Sequence, residues 1–169
     1  MLITDAYKAE QEALHATGTY GTASLKFGGL VSQLVDTLDI DTLLDYGCGS
    51  KRSLLTVLNP ERTVEYLGYD PATEWTDKWP CDLVTCIDVL EHIEPDLLDN
   101  VLDDLLMLSK RWAFLTIHTG PAVKTLSDGR NAHLIQKPPA WWLPKLMSRW
   151  ELQTFNRGKS GFNVLMRAR

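Results

Sequence analysis

At 169 residues, 44% hydrophobic and 23% charged, the chain holds enough apolar material for one core and is expected to form one globular domain. No segment approaches the roughly 18 apolar residues of a membrane span, and the start MLITDAYKAEQEALHATG lacks the basic and apolar regions of a leader, so a cytoplasmic protein without a membrane partner is expected. The net charge of −5 hides a split: residues 1–108 carry 6 Lys+Arg against 20 Asp+Glu, a net of −14, whereas residues 109–169 carry 11 against 2, a net of +9. The three cysteines, Cys48, Cys81 and Cys86, form no CxxC pair and sit near no clustered histidines, which predicts buried thiols and no metal site.

In chain order, Phe27, Leu30, Val31, Leu34, Val35 and Leu38 mark one helix face within an N-terminal helical cap over 1–40. A short buried strand follows at 42–46, then a glycine turn and a helix carrying Leu54, Leu55 and Leu58 that should stop near Asn59-Pro60. VEYLGYD (64–70) and DLVTCID (82–88) read as further strands. Leu97, Leu98, Val101, Leu102, Leu105 and Leu106 form a helix stripe that Pro95 introduces. WAFLTIH (112–118) is a fourth strand, and Pro138-Pro139 open a short helix through AWWLPKLM. WELQTFN and GFNVLMRAR flank Arg157-Gly158-Lys159-Ser160 as a closing hairpin. The alternation predicts an α/β three-layer sandwich, its sheet mainly parallel with a C-terminal antiparallel hairpin.

Ligands of such sheets sit at the carboxyl ends of the strands. Those ends read Asp45-Tyr46-Gly47-Cys48-Gly49-Ser50, Gly68-Tyr69-Asp70, Ile87-Asp88-Val89 with Glu91-His92 beyond, and Ile117-His118-Thr119-Gly120. The first glycine turn is no P-loop, because Arg52 stands where the second glycine of GxxxxGK[ST] belongs. Arg52 also replaces the third glycine of GxGxxG, which weakens a dinucleotide reading. Asp45 at the mouth of the turn would repel a pyrophosphate and attract an ammonium. Asp70 ends the second strand 23 residues beyond Gly47, near the roughly 20 expected for an acid that accepts hydrogen bonds from a ribose. A ligand with both a ribose and an ammonium fits; S-adenosylmethionine has both.

LLDYGCGS, YLGYDPA and CDLVTCIDVLEHI, in that order, resemble the first, second and fourth motifs of the class I (Rossmann-like) S-adenosylmethionine-dependent methyltransferases of the small single-domain type. The resemblance implies that Asp45, Gly47, Cys48 and Gly49 line the methionine end of the cofactor, that Asp70 holds the ribose, that Pro71 borders the adenine and that Asp88 and Val89 flank the bound cofactor from the third strand. It divides the single domain into the cap, a cofactor-binding core at 41–120 and a substrate loop with the hairpin at 121–169. Two departures stand out. Lys51 and Arg52 occupy a region that is usually glycine-rich. Only 10 residues separate Asp70 from Cys81, too few for the usual helix and edge strand, so the sheet should be shortened there. A loop with Trp75 and Trp79 would cover that edge or plug a small core.

For each site residue a plainer role competes: a helix cap for Asp45, a turn acid for Asp70, a small turn residue for Cys48, packing for His92. His15 is assigned no role. His118, leaving the fourth strand, is the favoured proton acceptor, with His92 the second. Tyr20, Lys26, Arg130, His133 and Trp141 are the candidate acceptor-binding residues. The basic final third favours a small polar and anionic acceptor, such as a sugar, nucleotide or other metabolite, over nucleic acid. The alternatives are a non-catalytic cofactor-binding subunit or regulator, a nucleic-acid methyltransferase and an NAD-linked oxidoreductase.

Overall fold

The apolar runs of the sequence become the strands of one sheet in the computed structural model, which describes residues 1–17 and 21–169. After α1 (Asp5–Ala16) and α2 (Gly28–Thr37) come β1 (Thr42–Tyr46), β2 (Glu65–Tyr69) and β3 (Cys81–Ile87). Then follow α3 (Leu98–Leu108), β4 (Ser109–His118), α4 (Pro139–Met147) and the hairpin β5 (Glu151–Arg157) and β6 (Gly161–Arg167). The strand order is β2-β1-β3-β4-β6-β5. The first four strands are parallel, and β6 runs antiparallel to both β4 and β5. Among the described residues no strand lies beyond β2, so the sheet is short on that edge. Among the described residues no helix is long and apolar enough to cross a membrane.

Successive strand residues face opposite sides, and the two cores follow from that. Leu44, Val84, Leu115 and Val164 pack with α3 and with Trp142, Leu146 and Trp150; Leu43, Leu83, Phe114 and Leu165 pack with Val31, Val35 and Leu54. Both faces are covered, which is why the central strands read as continuous apolar runs. The chain leaves β1 for β2 on one side and returns as β3 on the other. That switch point opens a crevice at the carboxyl ends of β1 and β3.

One expected element is absent. Residues 50–57 form consecutive turns and no α-helix. Arg52 has a φ of 46°, a left-handed conformation that ends right-handed helix propagation. Short-range bonds remain, from Arg52 N–H to Gly49 O and from Leu55 N–H to Arg52 O, and Leu54 still enters the core. The side chain of Arg52 instead lies along β2. Its stem passes the bare Cα of Gly68 and its guanidinium sits 3.9 Å from the centre of the Trp75 ring. Trp75 therefore helps cover the shortened edge, as one of the two readings required, while Trp79 is exposed and plugs nothing.

Gly161 starts β6 opposite His118, and a Cβ there would stand 2.2 Å from Ile117 O. Gly161→Ala should lower stability by about 1–3 kcal/mol through overpacking against backbone. Gly158→Ala, whose Cβ would meet Gly161 O at an ordinary 3.5 Å, should stay within about 0.5 kcal/mol. Urea denaturation of the pair checks this, and equal midpoints would refute it.

Candidate functional site

Four strand ends converge on a cavity of about 440 Å³, within the range of roughly 300–1,000 Å³ that small ligands occupy. Asp45, Gly47 and Gly49 line it from β1 and its turn, Asp70 and Pro71 from β2, Asp88 and Val89 from β3, and His118 from β4. Gly47 has a φ of 81°, and a Cβ on it would lie 2.4 Å from Val89 Cγ2. Only glycine lets the two turns approach so closely.

The acids differ in setting. Asp45 is 2% exposed and accepts hydrogen bonds from Tyr66 Oη on β2 at 2.8 Å and from Thr85 Oγ1 on β3 at 3.2 Å. Burial pushes its carboxyl up to about 6, an effect the two hydroxyls only partly offset. Asp70 accepts from Gly49 N–H at 3.0 Å and from Ala72 N–H at 2.9 Å, and His15 Nε2 stands 3.8 Å from it. Asp88 takes a left-handed φ of 52°, and its carboxylate accepts the Thr116 hydroxyl at 2.5 Å.

α1 roofs this floor. Ile3, Tyr7, Gln11 and His15 recur every fourth residue and all line the cavity. Tyr7 Oη donates to His92 O at 2.5 Å, and Thr4 donates through its N–H and hydroxyl to the Glu94 carboxylate at 2.9 and 2.8 Å. The i, i+4 spacing was the signal in the sequence for this face.

Three histidines form one wall. The rings of His92 and His133 are 4.6 Å apart at their centres, and those of His118 and His133 4.8 Å. Burial, reinforced by His133, lowers His92 to about 3, so its imidazole is neutral at ordinary pH; His133 is also lowered, chiefly by burial. Behind them Glu91 is fully buried and accepts His118 N–H at 2.8 Å; burial and Asp88 raise its carboxyl well above the usual range. Glu91 and both neighbouring histidines come together although their spacing in sequence suggested no such cluster.

Other sequence-derived candidates lie elsewhere. Cys48 is buried but does not line the cavity: its Sγ faces Gly68, and its N–H donates to Tyr69 O at 3.1 Å. Lys26 is exposed and away from the lining. Arg130 is turned to Asp128 at 2.7 Å, and Trp141 packs edge-on against Trp142, 5.0 Å between centres, under Lys145. His133 does line the cavity. Tyr20 falls outside the described residues.

The basic final third does not gather at the cavity. Arg149 and Lys145 pair with Asp99, and Arg149 also pairs with Asp103, so they neutralise the acidic face of α3. Arg111 and Arg169 donate to backbone carbonyls. Among the described residues Lys124 is the one lysine or arginine that lines the cavity. The charge split therefore describes a surface balance between α3 and its neighbours, and the inference of an anionic acceptor loses its support.

Residues 20–164 match the family described as "Methyltransferase domain". No curated protein sequence matches significantly. Among solved structures, a Burkholderia thailandensis 1,6-didemethyltoxoflavin-N1-methyltransferase, crystallised with 1,6-didemethyltoxoflavin and S-adenosylhomocysteine, superposes with a TM-score of 0.66 at 13% identity, covering 99% of this chain and 91% of that one. An O-methyltransferase family protein from the same organism gives 0.63 at 14% identity, over 96% and 59%. The small RNA methyltransferase HEN1 gives 0.64 at 14%, over 85% of this chain and 25% of its own.

Asp45 keeps its proton in the folded chain up to about pH 6 and loses it from its ordinary value of 3.8 in the unfolded one. Its contribution is thus fully present below the lower value and is lost as pH rises through the upper. Asp45→Asn, which keeps an acceptor oxygen without ionising, should gain at most about 3 kcal/mol over the parent at pH 7 and nothing at pH 3.5. Chemical denaturation at both pH values measures the difference; an equal effect at the two would refute it.

Proposed function

Because this chain belongs to the class I S-adenosylmethionine-dependent methyltransferases, we propose that it transfers the methyl group to a small, weakly charged molecule bearing a hydroxyl or amine, bound under α1 in the same cavity. The observation that carries this reading is the convergence of four strand ends beneath one helical roof.

The residues suit the cofactor. Each oxygen of Asp70 accepts one backbone N–H, which leaves acceptor capacity for ribose hydroxyls. Asp45 would meet the ammonium across the turn, the bare Gly47 would leave room for the methionine chain, Pro71 would border the adenine, and Asp88 and Val89 would flank the bound cofactor. S-adenosylmethionine supplies a methyl group on a sulfonium, a good leaving group, so the protein's task is chiefly alignment. His118 takes the proton of a hydroxyl acceptor, whereas His92, depressed to about 3, is too weak a base for that work.

The acceptor side is formed by the later loops and α1. Ile3, Ala122, Val123 and Tyr7 give it an apolar character. A nucleic acid would require a track of cations along its phosphates, and Lys124 alone does not supply one. A reducing cytoplasmic setting suits three free, buried cysteines.

Incubation with methyl-labelled S-adenosylmethionine and a panel of phenols, sugars, heterocyclic amines and short RNAs should show label moving to a small molecule. Cofactor binding without transfer across the panel would point to a regulator. Asp70→Ala should weaken cofactor binding by about 1–3 kcal/mol with a retained thermal transition; unchanged affinity would remove Asp70 from the ribose.

A further inference from the structure

Glu91, His92 and His133 each offer a ligand atom, and these atoms all lie within 4.8 Å of one another. Glu91 and His92 sit on the short turn after β3, and His133 arrives from the loop that follows β4. Tetrahedral ligands about 2.0–2.2 Å from one ion stand about 3.3–3.6 Å apart, so side-chain rotations that draw these atoms together by about an ångström close the set.

The supporting bonds are those of a ligating set. His92 Nδ1 lies 2.8 Å from Ala132 O, and His133 Nδ1 lies 2.7 Å from Gly120 O. A carbonyl only accepts, so each Nδ1 carries the proton and Nε2 is the ring nitrogen with the chemistry of a ligand. Histidine ligands are usually oriented in this way by a backbone carbonyl. Glu91 is 0% exposed; one carboxylate oxygen accepts His118 N–H, and Oε2 has no hydrogen-bond partner among the described residues. A buried carboxylate oxygen left without a partner is costly in a folded protein. A cation would satisfy it.

We infer that Glu91, His92 and His133 form a site for one divalent transition metal in the wall of the cavity. Two imidazoles and one carboxylate suit Zn²⁺, Mn²⁺ or Co²⁺, whereas Mg²⁺ and Ca²⁺ favour sets made of oxygen. His92 and His133 line the cavity, so the positions the protein leaves open on the ion face its interior. Resting on the methyltransfer reading above, this narrows the acceptor to a molecule that gives the metal an oxygen.

Co²⁺, whose low-coordinate complexes absorb visible light, is titrated into the purified full chain, with cofactor affinity measured on the same samples. One equivalent should bind saturably with a visible spectrum. Glu91→Gln and His133→Gln should each weaken it by more than about tenfold, the floor set by loss of a mere supporting partner. His133 is borne on a loop, so its variant tests the site even where Glu91→Gln fails to fold. Absence of saturable Co²⁺ binding in the parent, or parental binding in a folded His133→Gln, overturns the site. Saturable Co²⁺ binding that both substitutions weaken, in a protein with no affinity for S-adenosylmethionine, upholds the metal site and defeats the functional reading instead.

Discussion

Parallel pairing of β1 with β2 and β3 is the constraint on which the molecule depends. It sets Asp45 level with Gly68 on one side and Thr85 on the other, so a carboxylate in the middle of the sheet is bridged to both neighbours by Tyr66 and Thr85. The same registers end the three strands at one height. Their last residues, with His118 of β4, have nowhere to project but into a shared crevice. A buried acid is an expensive group to keep, and its retention here makes sense as the cost of presenting negative charge where the chain turns.

The polar groups around this crevice form linked tiers. Thr116 of β4 accepts from Asp88 N–H and donates to its carboxylate, which holds that residue in its left-handed conformation. Glu91 joins the following turn to β4 through His118 N–H, and its own carbonyl accepts Ile135 N–H from the later loop. The histidine wall is thus fixed to the sheet through backbone groups, and the rings need no large rearrangement to act together.

Much of this was legible in the sequence. Apolar runs locate β1 to β4 and β6, the turn at 157–160 locates the polar β5, and the acids and His118 stand out as candidates because parallel strands must end together. What escaped depended on distant parts of the chain meeting. Leu54, Leu55 and Leu58 imitate a helical stripe, yet Arg52 stacks on Trp75 and is itself left-handed. His15 carries no local signal because Asp70, its neighbour in space, lies far along the chain. The basic third reads as a substrate surface in the linear sequence, whereas in the fold its Arg149 lies against α3. His92 and His133 are joined only by the fold-back of the loop after β4, which no local pattern announces.

The roof has a different mechanical standing from the floor. α1 is tied down by long-range side-chain bonds, Thr4 to Glu94 and Glu10 to Ser127, and by a small satellite cluster around Tyr7, Leu126 and Ala132. The sheet below is held by a continuous backbone ladder. Segments held by side-chain bonds and a small cluster open at lower free energy than a continuous ladder, which ranks the twelve-residue roof below the sheet in local stability.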